Sequence, residues 1–338
     1  MSEPISDPPV PGTRVSVAGR RIGHHGPAVV ALGGGHGLSS SLKALRRLTD
    51  DVTAIVGVAD DGGSSGRIRS ELGLPPPGDL RMALAALCGD DAWGRTWSQV
   101  MQHRFGGTGE MAGHATGNLL IAALWEETGN LVAGLDWVAA LLGAHGRVLP
   151  VSTVPLNIVA DVRGADPEHP DEVKTIVGQV ELEHSPGWVT NLRVEPGDPP
   201  ACAEALDAIA EAQAIVLGPG SWDTSVLPHL LVPGVREALA QTSARRILVL
   251  NLDGRSASST NEVGSTQDFT SARYLEVWRD QFPEVGLEYV LADPRCVDDV
   301  DGLAAACEAV NAELVLERVS VSQRDSEPTS PRHDTHLL

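Results

Sequence analysis

Cysteine and basic charge are both scarce in this sequence, and it contains no long apolar run. Only four cysteines occur among 338 residues. Cys88, Cys202, Cys296 and Cys307 form neither a CxxC pair nor a zinc-finger spacing, which excludes a disulfide scaffold and a cysteine-rich metal module. They read as buried thiols of a reducing compartment. No stretch reaches membrane-spanning length, and residues 1–27 lack the apolar core of a signal peptide. The expectation is a cytoplasmic protein with no membrane insertion. Twenty-five basic residues against 45 acidic ones give a formal charge of −20, which opposes attraction to nucleic acid and to anionic lipid. Two tyrosines, three phenylalanines and seven tryptophans are too few and too scattered for a base-stacking platform, so they are assigned to the core or an interface. No HExxH, GK[ST] or nucleophile elbow occurs either.

What the chain does have is glycine at the ends of apolar runs. AVVALGGGHGLSSSLKAL begins at Ala28, and VTAIVGVADDGGSSGRIRSELG follows at Val52, about one strand-helix-strand unit later. Both runs are β-branched and apolar, which suits buried parallel strands. Both end in glycines that let backbone N–H groups approach an anion. Such a pair predicts a phosphate-binding α/β crevice.

The rest of the pattern agrees. A helix carrying Leu42, Leu45 and Leu48 joins the two strands in a right-handed βαβ unit. Pro75 to Pro77 forbid helix, and Asp79 is expected to cap a helix from Leu80. Residues 90–146 read as mostly helical. Strands are expected at 147–153, 158–162, 176–180 and 190–194, the last few as a small β elaboration. Strand-helix alternation then resumes through AIVLGPGS, RILVLNL and YVLADP. The expected architecture is therefore α/β: one Rossmann-like, doubly wound, mainly parallel sheet over 28–319 with a helical and small β insertion. Residues 1–27 read as a flexible lead-in and 320–338 as a disordered tail rich in Ser, Thr, Pro and charge.

Three clusters could carry chemistry. In the first turn, Gly33, Gly34, Gly35, His36, Gly37 and Leu38 open a helix whose free N–H groups suit a phosphate. The spacing fails the GxGxxG fingerprint at Leu38, which speaks against NAD(P). His36 either donates to the phosphate or faces solvent. The second cluster places Asp60 and Asp61 at a strand end as candidate metal-binding or catalytic carboxylates. Gly62, Gly63, Ser64 and Ser65 can then wrap an anion, with Arg67 as counter-charge. This acid pair beside an anion nest fits an Mg²⁺-phosphate or a ribose-phosphate. Asp79 and Arg81 either join that rim or cap a helix, and Asn118, with His114 and Thr116, either opens a helix or points at the ligand. Gly218, Pro219, Gly220 and Ser221 make the third strand-end turn.

Together, GGGHGLSSSLKAL, TAIVGVADDGGSSGRIRSELGLPPPGDLR, GHATGNLLIAAL and AIVLGPGSWDTSVLPHLLVPGV resemble the gluconeogenesis factor (YvcK-like) family, which is related to the 2-phospho-L-lactate transferase of coenzyme F420 synthesis (CofD-like). The resemblance spans about residues 28–315. It implies binding of a UDP-sugar such as UDP-GlcNAc or UDP-glucose, with phosphates near 33–38 and 218–221 and the ADDGGSSGR loop and Asn118 in the same cleft. It further implies a regulator of cell shape and peptidoglycan synthesis on gluconeogenic carbon, without turnover. The alternative is a Mg²⁺-dependent transferase of phosphorus-containing groups. Cell-envelope synthesis proteins and a Ser/Thr kinase are the implied partners, with Ser326, Thr329, Ser330 and Thr335 as phosphorylation candidates, and a homodimer is expected. Three departures mark this chain: His36 replaces the usual Thr, Met82 replaces the usual Asn, and LDGRSASSTNEVG does not follow the family's MTQPGET-like loop.

Overall fold

The structure is a computed structural model that describes residues 26–252, 270–321 and 332–338. Nearly all of the lead-in, most of the loop after Asn251, and Ser326, Thr329 and Ser330 lie outside the described residues. The chain opens with β1 (Val29–Gly33), α1 (Gly35–Leu45), β2 (Val52–Val56), α2 (Gly63–Leu72) and α3 (Gly78–Ala86). Then come α4 (Ala92–Gln102), α5 (Thr116–Thr128), α6 (Leu131–Leu142) and β3 (Arg147–Pro150). An insertion follows, made of β4 (Asn157–Arg163), β5 (Val173–Val177), α7 (Gln179–His184) and β6 (Trp188–Glu195). The alternating pattern returns with α8 (Ala203–Glu211), β7 (Ala214–Leu217), a π-helical turn at Trp222–Val226, α9 (Leu227–Leu230), α10 (Pro233–Gln241) and β8 (Arg245–Val249). After the undescribed loop come α11 (Ser271–Gln281), β9 (Tyr289–Ala292), α12 (Val300–Ala309) and β10 (Glu313–Leu316).

Seven strands form one sheet in the order β10-β9-β8-β7-β1-β2-β3, and every neighbouring pair is parallel. The expected α/β architecture is therefore present, and β5-β4-β6 supply the small antiparallel elaboration. All five residues of β1 are buried, because helices cover both faces of a central parallel strand. Leu32, Leu38, Leu42 and Ile55 are each at most 1% exposed, so truncating any one to alanine should cost about 2–5 kcal/mol.

Strand order locates the ligand crevice. From β1 the chain passes to β2 on one side, and later returns to place β7 on the other. A parallel sheet opens a cleft beyond its strands' carboxyl ends where the winding reverses in this way. Gly33 ends β1 and Gly218 follows β7, so two of the three glycine turns flank that reversal.

Several expectations need correction. Helix α1 stops at Leu45 and leaves Leu48 73% exposed. Residues 176–180 do not continue as a strand: Gly178, at φ +103, turns the chain into α7. The glycine-rich stretch after Gly62 is a helix, and β10 is an additional short edge strand. Of the four cysteines, Cys296 is only half-buried. The end of the chain is also partly ordered, because Ser320 bridges His333 and the Val321 N–H donates to the Arg332 carbonyl. Arg47 holds the Thr335 carbonyl, and Leu338 packs on the strip made by Val29, Val216 and Val249.

Candidate functional site

Helix α1 starts at the switch point without a side-chain cap or an acidic residue in its first turn. Asp79 takes the Gly35 N–H, and the N–H groups of His36 and Gly37 remain for an anion, with the positive end of the helix dipole behind them. The turn after β7 lies against this helix. A Cβ added to Gly37 would fall 2.0 Å from the Pro219 carbonyl oxygen, so only glycine permits this contact. Ser41, buried in α1, donates from Oγ to the Gly218 carbonyl at 3.0 Å and fixes the two segments together. Gly218 holds φ +78, a left-handed conformation that its side-chain-free backbone tolerates. The structure thus brings Gly33 to Leu38 and Gly218 to Ser221 to one cleft, with His36 exposed at the rim.

Asp79 enters that cleft from α3. It does not cap the helix, which begins one residue earlier with Pro77 at the N-cap. Its carboxyl accepts the Gly35 N–H, and it lies so near Gly34 that a Cβ there would be 2.5 Å from Oδ2. Burial, reinforced by the charge of Asp60, raises its pKa to about 7. A carboxyl therefore stands where α1 would meet an anion, and it is partly protonated at neutral pH.

The acid pair diverges. Asp60 Oδ1 accepts the Gly62 N–H at 2.9 Å, while its Oδ2 lies toward Gly78 and Ser65. Asp61 instead accepts the Val180 N–H at 3.0 Å, capping α7 from across the cleft, and packs on Gly178. The two carboxylates are thus held by different segments of the chain. Among the described residues no group of three or more His, Cys, Asp or Glu side chains could hold a metal.

Arg67 is not a free counter-charge, because its guanidinium donates to the Glu110 and Ala112 carbonyls and ties down the loop before α5. The buried cation is Arg81, 3% exposed. Its Nε donates to Asn118 Oδ1 at 2.9 Å, and Asn118 Nδ2 donates to Ser64 Oγ at 3.0 Å, with Ser65 Oγ at 3.5 Å. Ser64 also meets His114 Nδ1 at 3.1 Å. Burial pulls the His114 pKa down, helped by Arg67, and burial likewise lowers Arg81 to about 10. The second glycine turn, GDLR and GHATGN thus meet in one hydrogen-bonded network.

Gln179 and His229 carried no sequence signal of a place in the cleft. Gln179 comes from the insertion and lines the cleft with Thr224, Ser225 and His229. Thr224 donates to Glu183 at 3.2 Å, closing the insertion over the π-helical turn. Burial lowers the His229 pKa to about 4, so this imidazole is neutral at physiological pH.

The comparisons agree with this fold. The family model described as 2-phospho-L-lactate transferase CofD matches residues 29–318. A Mycobacterium tuberculosis protein assigned to the gluconeogenesis factors is 48% identical over 313 residues, covering 92% of this chain and 87% of its own length. The gluconeogenesis factor of Bacillus subtilis is 31% identical over 92% of this chain and 96% of its own. A crystal structure of a Bacillus halodurans member of the UPF0052 family superposes with a TM-score of 0.77 at 30% identity, covering 93% and 97% of the two chains. Among the described residues no helix is long and apolar enough to cross a membrane. With the match running from β1 to just past β10, and relatives of this identity along nearly the whole chain, the protein belongs to the CofD family, among its gluconeogenesis factors.

Proposed function

We propose that the switch-point cleft binds the diphosphate of a nucleotide sugar, of the UDP-GlcNAc or UDP-glucose type, and that the protein acts as a cytoplasmic, ligand-sensing regulator. In this reading it couples sugar-nucleotide supply to cell-envelope synthesis and cell shape during growth on gluconeogenic carbon. One observation carries the proposal: the start of α1 is held in backbone contact with the 218–221 turn at the winding reversal. The N–H groups of His36 and Gly37 beside those of Gly220 and Ser221 suit two linked phosphates, since the Gly218 N–H is spent on the Leu32 carbonyl. An Mg²⁺ arriving with the diphosphate would meet Asp60 Oδ2 and Asp79, rather than the Asp60/Asp61 pair.

A transferase of phosphorus-containing groups is the second reading, and Asp79 favours it. A carboxyl raised to about 7 beside Asp60 is suited to take a proton from an attacking hydroxyl. Calorimetric titration with UDP-GlcNAc, UDP-glucose, GDP and NADH, with and without Mg²⁺, separates the readings once the ligand is recovered and chromatographed. UDP-sugar bound and returned intact supports the regulator. Cleaved nucleotide, or selective guanine binding, would replace it with the transferase.

A further inference from the structure

The seven-stranded sheet leaves part of one face without a helix. From β7 the chain steps outward through β8, β9 and β10, and right-handed crossovers taken in one direction put α10, α11 and α12 on the same side. Core packing agrees: Val235, Leu275 and Leu303, one from each helix, share a cluster with Ile215, Leu248 and Val290. The alternate strand residues Val216, Ile247, Val249 and Leu291 point the other way. Among the described residues, the only side chains from outside the sheet that pack there are Leu45 of α1 and Leu338. Beside Leu338, the residues Ile247, Tyr289, Leu291 and Val315 run as an apolar strip across β8, β9 and β10, and all four are only half-buried. Parallel sheets are ordinarily covered on both faces, so this strip lacks its partner.

The charges beside the strip identify that partner. On the helix-covered face Arg246 and Glu288 pair within the chain, Nη2 to Oε1, at 2.7 Å. Their neighbours on the bare face do not. Arg245 stands exposed at the start of β8 and Glu313 at the start of β10, and neither side chain has an ion pair or hydrogen bond among the described residues. They flank β9 from opposite sides, two strand spacings or about 10 Å apart across the sheet. A base and an acid at opposite edges of one apolar strip make a self-complementary pattern. A second copy, turned about a two-fold axis lying over β9, would set Arg245 against the partner's Glu313 and Glu313 against the partner's Arg245.

We infer that the bare β8–β10 face is the contact surface for a second copy of this chain, with the apolar strips facing each other and the two charges paired reciprocally. The strip alone covers on the order of 200 Å², against about 800 Å² per partner in a stable dimer. Exposed Leu337, next to Leu338, and exposed Leu48, next to the Arg47 that holds Thr335, enlarge it. The dimer is therefore a dissociable one, with a dissociation constant in the micromolar range. This contact does not depend on what the cleft binds.

Sedimentation velocity on the full chain, between about 1 and 100 µM, tests it. Monomer should convert to dimer across that range. Arg245→Glu and Glu313→Arg each set like charges together twice in the dimer, and each should weaken association by about tenfold or more. The double reversal should restore association to within about threefold of wild type. Both side chains are exposed, so thermal melts of all three variants should match wild type. A chain that stays monomeric at about 100 µM, whatever else covers the strip, overturns the inference. So does a dimer indifferent to both single reversals, or one that the double reversal fails to rescue.

Discussion

Replacing Gly37 with alanine tests the contact on which the nucleotide reading depends. The added Cβ would lie 2.0 Å from the Pro219 oxygen and 2.6 Å from its carbonyl carbon, and real Cβ atoms essentially never come closer than 3.0 Å. Helix α1 and the turn must therefore separate by about 1 Å, and both obstacles are backbone atoms with no rotamer to yield. Overpacking of this kind costs about 1–3 kcal/mol in stability. A displacement of that size between two arms of one anion site should weaken diphosphate binding about tenfold or more. Gly35→Ala is the control: its Cβ meets nothing within 4 Å, although its φ of +58 carries strain of about 1 kcal/mol. Thermal melts and UDP calorimetry on both variants form the assay. If Gly37→Ala melts like wild type and binds UDP within about twofold, the two segments do not form a joint phosphate site.

Asp79 predicts a pH dependence opposite to that of an ordinary acid. Its folded-state pKa, near 7, exceeds the unfolded value, so the folded protein binds the extra proton and loses stability as pH rises from about 4 to about 7. Asp79→Asn should flatten the melting temperature over that window and raise it at pH 8, by on the order of 2 kcal/mol after discounting for partial exposure; an unchanged profile would refute the assignment. Asp293, 2% exposed, works the other way: Arg295 and the Val319 and Ser320 N–H groups hold its pKa well below the carboxylate range. Its contribution is lost as pH falls, and Asp293→Ala should cost about 3–5 kcal/mol in urea unfolding at pH 7. Asp61→Ala should lose about 1 kcal/mol and speed hydrogen exchange at the Val180 amide, because it removes the cap of α7. A large loss of Mg²⁺-dependent ligand binding in Asp61→Ala, with Val180 still protected, would restore the metal role.

The fold was legible wherever apolar periodicity is strong and local. β1, β2 and β7 are short, mostly apolar runs rich in Val and Ile, so they could be read directly as buried parallel strands. Helix α2 hid behind its glycines: GSSGR reads as loop, yet it is the first turn and a half of a helix that packs against α5. Helix α7 was illegible for another reason, because IVGQV alternates like a strand and the cap that starts the helix comes from Asp61, far away in sequence. The site divides in the same way. Glycine turns announce themselves by composition, whereas the partners of Asp61, Arg67 and Arg81 are set by tertiary neighbours. Burial of Arg81 and the neutrality of His229 follow from the way α3 and α9 dock, which residue type alone does not encode.

One residue past the third glycine turn, Trp222 sits with its ring 4.8 Å from Tyr274 and 6.1 Å from Trp278. Its indole Nε1 is buried without a partner, so its emission is not fixed by a hydrogen bond. Aromatic rings this close couple their excited states, and the coupling depends on separation and tilt. The chain therefore carries its own optical gauge: near-ultraviolet dichroism and tryptophan emission should register any shift of the 218–226 segment without a label.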